Sequence, residues 1–213
     1  MTMNEPQTGT RAKLIAAGLH LFGRGGFEGT STRALAERAG TNVASIAYHF
    51  GSKAGLRQAC ALHVVERLGN AIVMPDAASA PPDPQAALQE MEAAMRAFAR
   101  MLLVSAEAGD FVPFVLRELT DPGDVAEQLF TQFFQPRHAR FCTLWSAVTG
   151  KPAEAAEVKL AVFTFIGQIL YFRIARSFVA RRMEWGAIGP SEVDQIVDAV
   201  LGNLRAAAER GRT

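Results

Sequence analysis

The chain has 213 residues, of which 49% are hydrophobic and 20% charged. This composition, rich in Ala, Leu, Glu and Arg, argues against a disordered chain or an all-β protein and favours a globular all-α fold. The net charge is only +1, but residues 1–57 carry seven cations against three carboxylates, so this basic first quarter is predicted to meet an anionic partner.

The first two predicted helices are short and end at glycines. Apolar residues recur at helical spacing after Thr10 and predict a helix over 11–24, which the glycines of GRGGF end. Thr30 or Ser31 caps a second predicted helix over 31–39, with a glycine just beyond its last turn.

A third short helix follows after a tight turn, and Asn42 can cap it. Val43, Ile46 and Phe50 share one face of this helix, which is predicted to pack against the first two helices. Two short helices joined by a glycine turn form a helix-turn-helix pattern, although a helical hairpin in a core has the same spacing.

If the pattern binds DNA, small residues on the other face of the third helix let it approach the major groove, while longer side chains reach phosphates. The first N–H groups of the second helix add a phosphate site. The predicted DNA-binding residues are Ser31, Thr32, Arg33, Asn42, Val43, Ala44, Ser45, Tyr48, His49 and Lys53.

The rest of the chain is predicted to be helical, which makes about nine helices in all. Ser52 caps a fourth helix that reaches about residue 73, and the four prolines of residues 75–84 predict a loop. The remaining predicted helices cover 84–106, 111–119, 123–148 with Pro136 inside, 153–181 and 190–210.

Methionine and phenylalanine are concentrated in the middle helices, where they predict either ordinary core packing or the lining of a small-molecule pocket. Arg117, His138 and Gln168 are candidate polar groups for orienting such a ligand. The predicted ligand-binding residues are Met91, Met95, Phe98, Phe114, Arg117, Phe130, Phe134, His138, Phe165 and Gln168.

The last two predicted helices favour a homodimer. The helix over 153–181 is apolar around much of its circumference, and the last helix carries a stripe of Val193, Ile196, Val197, Val200 and Leu204. Two such helices meeting their copies across a two-fold axis would form a four-helix interface, although burial in a monomeric core is the alternative.

Other classes of function find little support. Cys60 and Cys142 are predicted to be buried thiols of a cytoplasmic protein, and the longest apolar run is too short to span a membrane. We find no nucleotide-binding glycine motif and no metal-ligand spacing, and the four histidines are scattered. The sequence therefore predicts no enzyme, no cofactor, no metal site and no membrane partner.

The segments LIAAGLHLFGRGGFEGTSTRALAERAG and YHFGSKAGL resemble the DNA-binding domain of the TetR family of transcriptional repressors. In this chain the tyrosine stands next to the histidine and position 47 is alanine, which departs from the usual family pattern. The resemblance implies that His49 and Lys53, together with Tyr48, contact phosphates. It also implies a DNA-binding domain over 1–55 and a ligand-binding and dimerisation domain over 56–213.

The segment VLRELTDPGDVAEQLFTQFFQPRHARFCTLWSAVTG resembles the effector domain of the CecR/YbiH-like subgroup of that family. The two resemblances together imply a ligand-responsive repressor that binds a palindromic operator as a dimer and controls efflux or detoxification genes. In this hypothesis ligand binding between the fifth and eighth helices moves the fourth helix and shifts the population away from the operator-binding state. An architectural or activator protein that binds DNA without an effector is the alternative.

Overall fold

A computed structural model describes residues 5–72, 83–105, 108–120 and 123–211, and these residues form helices without a strand. The all-α prediction is confirmed. The helices are α1 (Glu5–Gly25), α2 (Thr32–Arg38), α3 (Ala44–Phe50), α4 (Lys53–Ala71), α5 (Pro84–Val104), α6 (Ala108–Thr120), α7 (Asp124–Leu129), α8 (Gln135–Thr149), α9 (Ala156–Ile174), α10 (Arg176–Arg182) and α11 (Pro190–Gly211), with a π turn (Phe130–Phe134) between α7 and α8.

Helix α1 begins earlier than its apolar pattern predicts. It starts at Glu5, so Thr10 lies inside the helix and does not cap it. Pro6 is compatible with this start, since the first turn of a helix makes no use of the backbone N–H that proline lacks. The predicted glycine end is confirmed, because Gly26 has a φ of 72° and its N–H donates to the carbonyl of Phe22.

The helix predicted over 123–148 is interrupted. The π turn ends one residue before α8, and Pro136 lies in the first turn of α8. Proline cannot donate to the carbonyl four residues earlier, so the regular hydrogen-bond ladder cannot run through this position.

The helix predicted over 153–181 is also broken, because α9 and α10 are bent by 79° with respect to each other. The backbone leaves the helical conformation at Ala175, and Arg176 directly after it donates hydrogen bonds to the carbonyls of Leu103 and Ile188. None of the helices within the described residues is by itself long and apolar enough to span a membrane; only the bent pair of α9 and α10 reaches that length and composition.

The chain forms two compact units that do not follow the sequence continuously. The first unit comprises Met1–Leu68 and Glu107–Phe133, and the second comprises Gly69–Ala106 and Phe134–Thr213. Helix α6 therefore belongs to the same unit as α1. The predicted domain boundary at residue 55 is a division by function and stays a prediction, whereas the compact units divide the chain at other points. Of the predicted loop over 75–84, all but the last two residues lie outside the described residues.

In the first unit, α1 packs against α2, α3 and α6. The backbones of α1 and α6 come close at Gly23, where an added Cβ would lie 2.8 Å from the backbone nitrogen of Phe114. The largest buried side chains of this unit are Leu14, Phe22, Leu35, Ile46, Leu56, Phe114 and Leu129.

In the second unit, α5, α8, α9 and α11 pack around a common core. The stripe on α11 that the sequence predicts as a dimer surface is buried in this core, so that prediction is wrong for α11. Arg205 of α11 pairs with Glu92 of α5, and buried Arg140 of α8 pairs with Glu90 of α5. Both cysteines are buried and free, as predicted.

Candidate nucleic-acid interface

The turn before α2 is held by two hydroxyl groups. Ser31 is the cap of α2, because its Oγ accepts the N–H of Ala34 at 3.1 Å. Thr30 is buried and its Oγ1 donates to the carbonyl of Gly26 at 2.7 Å. Thr32 and Arg33 form the first turn of α2, where backbone N–H groups have no partner within the helix.

A small polar network fixes the first turn of α3. The Oδ1 of Asn42 accepts the backbone N–H of Ser45 at 3.0 Å and the Ser45 hydroxyl at 3.1 Å, so Asn42 supports the first turn of α3 from the residue before the cap position, which is Val43. The Ser45 Oγ lies 2.8 Å from the Oγ1 of Thr41, so the two hydroxyls share a hydrogen bond. These three polar side chains are therefore engaged with one another.

Helix α3 buries one face and exposes the other. Ile46 is buried and Phe50 is half-buried, as the spacing predicts, but Val43 is 47% exposed, so its predicted place on the packing face is wrong. One turn of α3 separates Val43 from Ala47, and both lie on the exposed side together with Ala44 and with Tyr48, which is 72% exposed. The exposed face consists of small residues and one long aromatic side chain.

The link from α3 to α4 depends on Gly51 and Ser52. Gly51 has a φ of 75°, which a side chain would strain, and the Ser52 Oγ accepts the N–H of Gly55, which confirms Ser52 as the cap of α4. Lys53 turns inward, since its Nζ donates to the carbonyls of Phe27 at 2.9 Å and Thr30 at 3.1 Å.

The cations of the first unit divide into two groups. Arg33 and Arg38 on α2 and Lys13 on α1 are exposed. Arg57 instead makes two hydrogen bonds with the buried carboxylate of Glu118, at 2.8 and 2.6 Å. Sequence reasoning missed Glu118, because a glutamate on a helix is usually exposed and its burial depends on tertiary packing that the sequence pattern does not show.

Polar contacts also join α1 and α6. The Nδ1 of His20 lies 2.7 Å from the Oδ1 of Asp110, and the Arg24 guanidinium contacts the same imidazole. Arg117 donates to the carbonyls of Gly23 and Arg24, so it satisfies groups at the end of α1.

The predicted ligand-binding residues are divided between the two units. Phe114, Arg117 and Phe130 belong to the first unit, and the other seven belong to the second. In the second unit Met91, Met95 and Phe165 are buried, while Phe98, Phe134, His138 and Gln168 are half-buried. The structure thus brings seven of the ten candidates into one unit.

The two polar candidates of the second unit have partners within it. The His138 ring stacks on Phe163 at 4.1 Å between centroids, and Cys142 Sγ lies 3.6 Å from His138 Nδ1. Burial lowers the pKa of His138 and raises the pKa of Cys142 to about 11. The Oε1 of Gln168 accepts a hydrogen bond from the Asn203 amide. Within the described part of the chain, no three His, Cys, Asp or Glu side chains come together as a metal site.

An apolar surface is exposed along one side of α9 and at Phe178 on α10, beyond the bend. We call it the α9 face, and each of its residues is more than half exposed: Leu160, Phe163, Tyr171, Ile174 and Phe178. The sequence predicted a surplus of apolar surface on this helix, and the surplus is present.

Comparison with known proteins identifies the family. A model of bacterial regulatory proteins of the tetR family matches residues 14–60, and a model of the C-terminal domain of the HTH-type transcriptional dual regulator CecR matches residues 87–209. The chain is also 33% identical to the HTH-type transcriptional dual regulator CecR of Shigella flexneri over 215 residues, which cover 95% of each chain. The chain belongs to the TetR family of transcriptional regulators, in its CecR-like subgroup.

Other TetR-type proteins resemble parts of the chain or its fold. The transcriptional regulatory protein RaaS of Mycobacterium tuberculosis is 47% identical over 57 residues, 27% of this chain and 26% of that protein. A transcriptional regulator from Pseudomonas aeruginosa has a TM-score of 0.65 at 20% identity, covering 95% of this chain and 93% of that one. AibR, solved in complex with isovaleryl coenzyme A and operator DNA, has a TM-score of 0.64 at 16% identity, covering 91% and 96%.

The two family models separate the two sets of candidate residues. All the predicted DNA-binding residues fall within the TetR-type match over 14–60, and all the predicted ligand-binding residues fall within the CecR-type match over 87–209. The helix-turn-helix formed by α2 and α3 is therefore the DNA-binding element of this TetR-family regulator.

Proposed function

We propose that this TetR-family regulator is a cytoplasmic homodimer that represses transcription from a palindromic operator and is released by a small, largely apolar molecule. The observation that carries the proposal is the exposed face of α3, which combines small residues with a long tyrosine on a helix held rigidly at both ends. Efflux or detoxification genes are the proposed targets, and the chain is assigned no reaction, cofactor or metal.

Contacts with the phosphate backbone are assigned to the residues around α3. The first turn of α2 supplies N–H groups beside Ser31, Thr32 and Arg33, and Tyr48 and His49 project from the end of α3. Lys53 is kept as a proposed phosphate contact through its third N–H, since its other two can serve the carbonyls it binds.

A homodimer is supported by the α9 face. Five large apolar side chains exposed on α9 and α10 are more than a monomer usually leaves in water. Because the α11 stripe is buried inside its own subunit, we assign the interface to the α9 face and the polar outer side of α11. Binding to two successive major grooves requires the two α3 helices of such a dimer to lie about 34 Å apart.

Release by a ligand is assigned to the second unit. Met91, Met95 and Phe165 are buried apolar residues of this unit, and methionine and phenylalanine side chains adapt to ligands of varied shape. His138 and Gln168 are the polar residues of this unit that the sequence predicts to orient the ligand. The structure of AibR with isovaleryl coenzyme A and operator DNA supports a ligand-responsive role by analogy of fold. Helix α4 follows α3 after a link of two residues and continues past Leu68, the last residue of this part of the first unit, so we assign it the change of position that releases the operator.

The proposal is tested by titrating the purified full-length protein with the inverted repeat upstream of its own gene and with random duplex DNA at one salt concentration. We expect binding to the inverted repeat about 1000-fold tighter or more, and release by members of an apolar compound library. Equal affinity for both DNAs would overturn the repressor proposal in favour of an architectural protein.

Activation is a second candidate function, because the relative from Shigella flexneri is described as a dual regulator. A reporter fused to the target promoter separates the two functions. Loss of the protein raises transcription if it represses and lowers transcription if it activates.

A further inference from the structure

The exposed face of α3 has an unusual composition for a helix that reads DNA. Between Ala44 and Phe50 there is no Arg, Lys, Asn or Gln, the residues that most often form hydrogen bonds with guanine or adenine edges. The face toward solvent is formed by Val43, Ala44 and Ala47, with Tyr48 at its border.

The side-chain oxygen of Asn42 and the hydroxyl of Ser45, which lie next to this face, are already engaged. Asn42 Oδ1 accepts two hydrogen bonds from Ser45, and the Ser45 hydroxyl is shared with Thr41. The bidentate contact of asparagine with adenine uses Oδ1 as well as the amide N–H, so it would have to replace the bonds from Ser45, as would a base edge that bound the Ser45 hydroxyl, and the net gain from either contact is small.

Tyr48 is suited to the backbone of the duplex. Its ring packs edge-on against His49 with 5.0 Å between centroids, and its phenol projects beyond the small side chains beside it. A long exposed donor at the border of the groove-facing surface reaches phosphate oxygens, which position the helix without reading sequence.

We infer that α3 reads its operator mainly by apolar contact, with Val43, Ala44 and Ala47 placed against the C5-methyl groups of thymines in each half-site. Thymine is the only one of the four bases that presents a methyl group in the major groove, and alanine-sized side chains are suited to contact it. This inference rests on the proposed operator binding and adds the chemistry by which the operator is recognised.

The test begins by selecting tight duplexes for the full-length protein from a randomised pool. Each thymine of the selected half-site is then replaced singly by deoxyuridine, which keeps base pairing and removes only the methyl group. We expect the affinity to fall about 3- to 5-fold at one or two positions per half-site and to stay constant elsewhere.

A pair of variants assigns the contact to a residue. Val43→Ala should reduce the deoxyuridine effect at one thymine toward zero while leaving the other positions unchanged. Leu62→Ala is the matched control, because Leu62 on α4 is 48% exposed and Val43 is 47% exposed. The control should keep the full effect at every thymine.

The outcomes separate this inference from the proposed function. Specific binding of a selected duplex with no deoxyuridine effect at any thymine, or selected half-sites without thymine, would overturn the methyl contact and leave operator binding intact. A deoxyuridine effect that is the same in Val43→Ala and in the wild type would remove Val43 from the contact. Failure to enrich any duplex over random DNA would overturn both proposals.

Discussion

Arg57 and Glu118 form an ion pair in which the carboxylate is almost fully buried. The two side chains make two hydrogen bonds and connect α4 with α6 inside the first unit. Removing one partner of such a pair leaves an uncompensated charge in a region that water does not reach.

We therefore expect Arg57→Ala to lower the free energy of unfolding by about 3 kcal/mol, measured by urea denaturation. Arg100→Ala is the control, because the Arg100–Asp194 pair is exposed and its loss should change stability by less than about 1 kcal/mol. Equal effects of the two substitutions would show that Glu118 is not buried in the folded protein.

Lys53 has two separable roles, one in the fold and one proposed at the DNA. Lys53→Ala should lower the free energy of unfolding by about 1–2 kcal/mol, since the carbonyls of Phe27 and Thr30 lose a charged donor. If Lys53 also binds phosphate, the slope of log affinity against log salt should fall by about 1. An unchanged slope with reduced stability would leave Lys53 with the structural role alone.

His138 gives the protein a pH dependence. Burial lowers its pKa below 6.5 in the folded state, so the unfolded chain binds more protons as the pH falls below about 6.5. The free energy of unfolding should therefore decrease from pH 7.5 to pH 5.5, and His138→Gln should make this decrease smaller. Urea denaturation at three pH values measures this decrease, to which His63 also contributes because burial lowers its pKa as well. An identical pH profile in the variant would contradict the assignment.

The helices whose first residues follow a capping side chain begin close to where the sequence predicts. Ser31 and Ser52 provide their caps as predicted, and Asn42 accepts an N–H of the first turn of α3, because capping depends on neighbouring backbone groups only. The break at Ala175 could not be predicted, since the apolar pattern continues across it, whereas the break beside the π turn had a signal in Pro136, which interrupts the hydrogen-bond ladder. Val43 was wrongly predicted to pack against the first two helices. The spacing of apolar residues gives the face of a seven-residue helix that is buried, but it does not show at which residue that burial ends.

The contact between α1 and α6 can be tested at Gly23. Alanine normally stabilises a helix by about 1 kcal/mol over glycine, but here its Cβ would lie 2.8 Å from the backbone of Phe114. We expect Gly23→Ala to destabilise the protein by about 1–3 kcal/mol in thermal or urea denaturation. Gly9→Ala on the same helix, where a Cβ meets nothing within 4 Å, is the control and should be neutral or stabilising. Two stabilised variants would show that the helices are not in close contact.

For the whole molecule, the family and the all-α class followed from motifs in the first sixty residues and from composition. The division into units did not follow, because it depends on α6 returning to α1 across a separation of about ninety residues in sequence. The proposed ligand site was the least predictable part, since Met and Phe occur equally in cores and in pockets, and three of the ten candidates fell in the first unit.

The proposed homodimer leads to a prediction about Leu160. A charge at this exposed position of the α9 face would be buried without a partner in the dimer, so Leu160→Glu should shift the protein toward monomers and weaken operator binding at least tenfold. Light scattering coupled to size exclusion measures the mass. Gln89→Glu on the exposed side of α5 adds the same charge away from α9 and α11 and should leave a dimer. A dimeric Leu160→Glu protein would exclude the α9 face as the interface.

The return of α6 to α1 decides how chimeric regulators could be made from this protein. A graft that exchanges only residues up to the end of α4 would join a foreign α1 to the native α6, and would separate Gly23, Arg24 and Arg57 from the partners they have here. Engineers who wish to give a relative this operator preference would therefore have to transplant two pieces of chain, the N-terminal helices and the segment from Ala108 to Phe133, as one block.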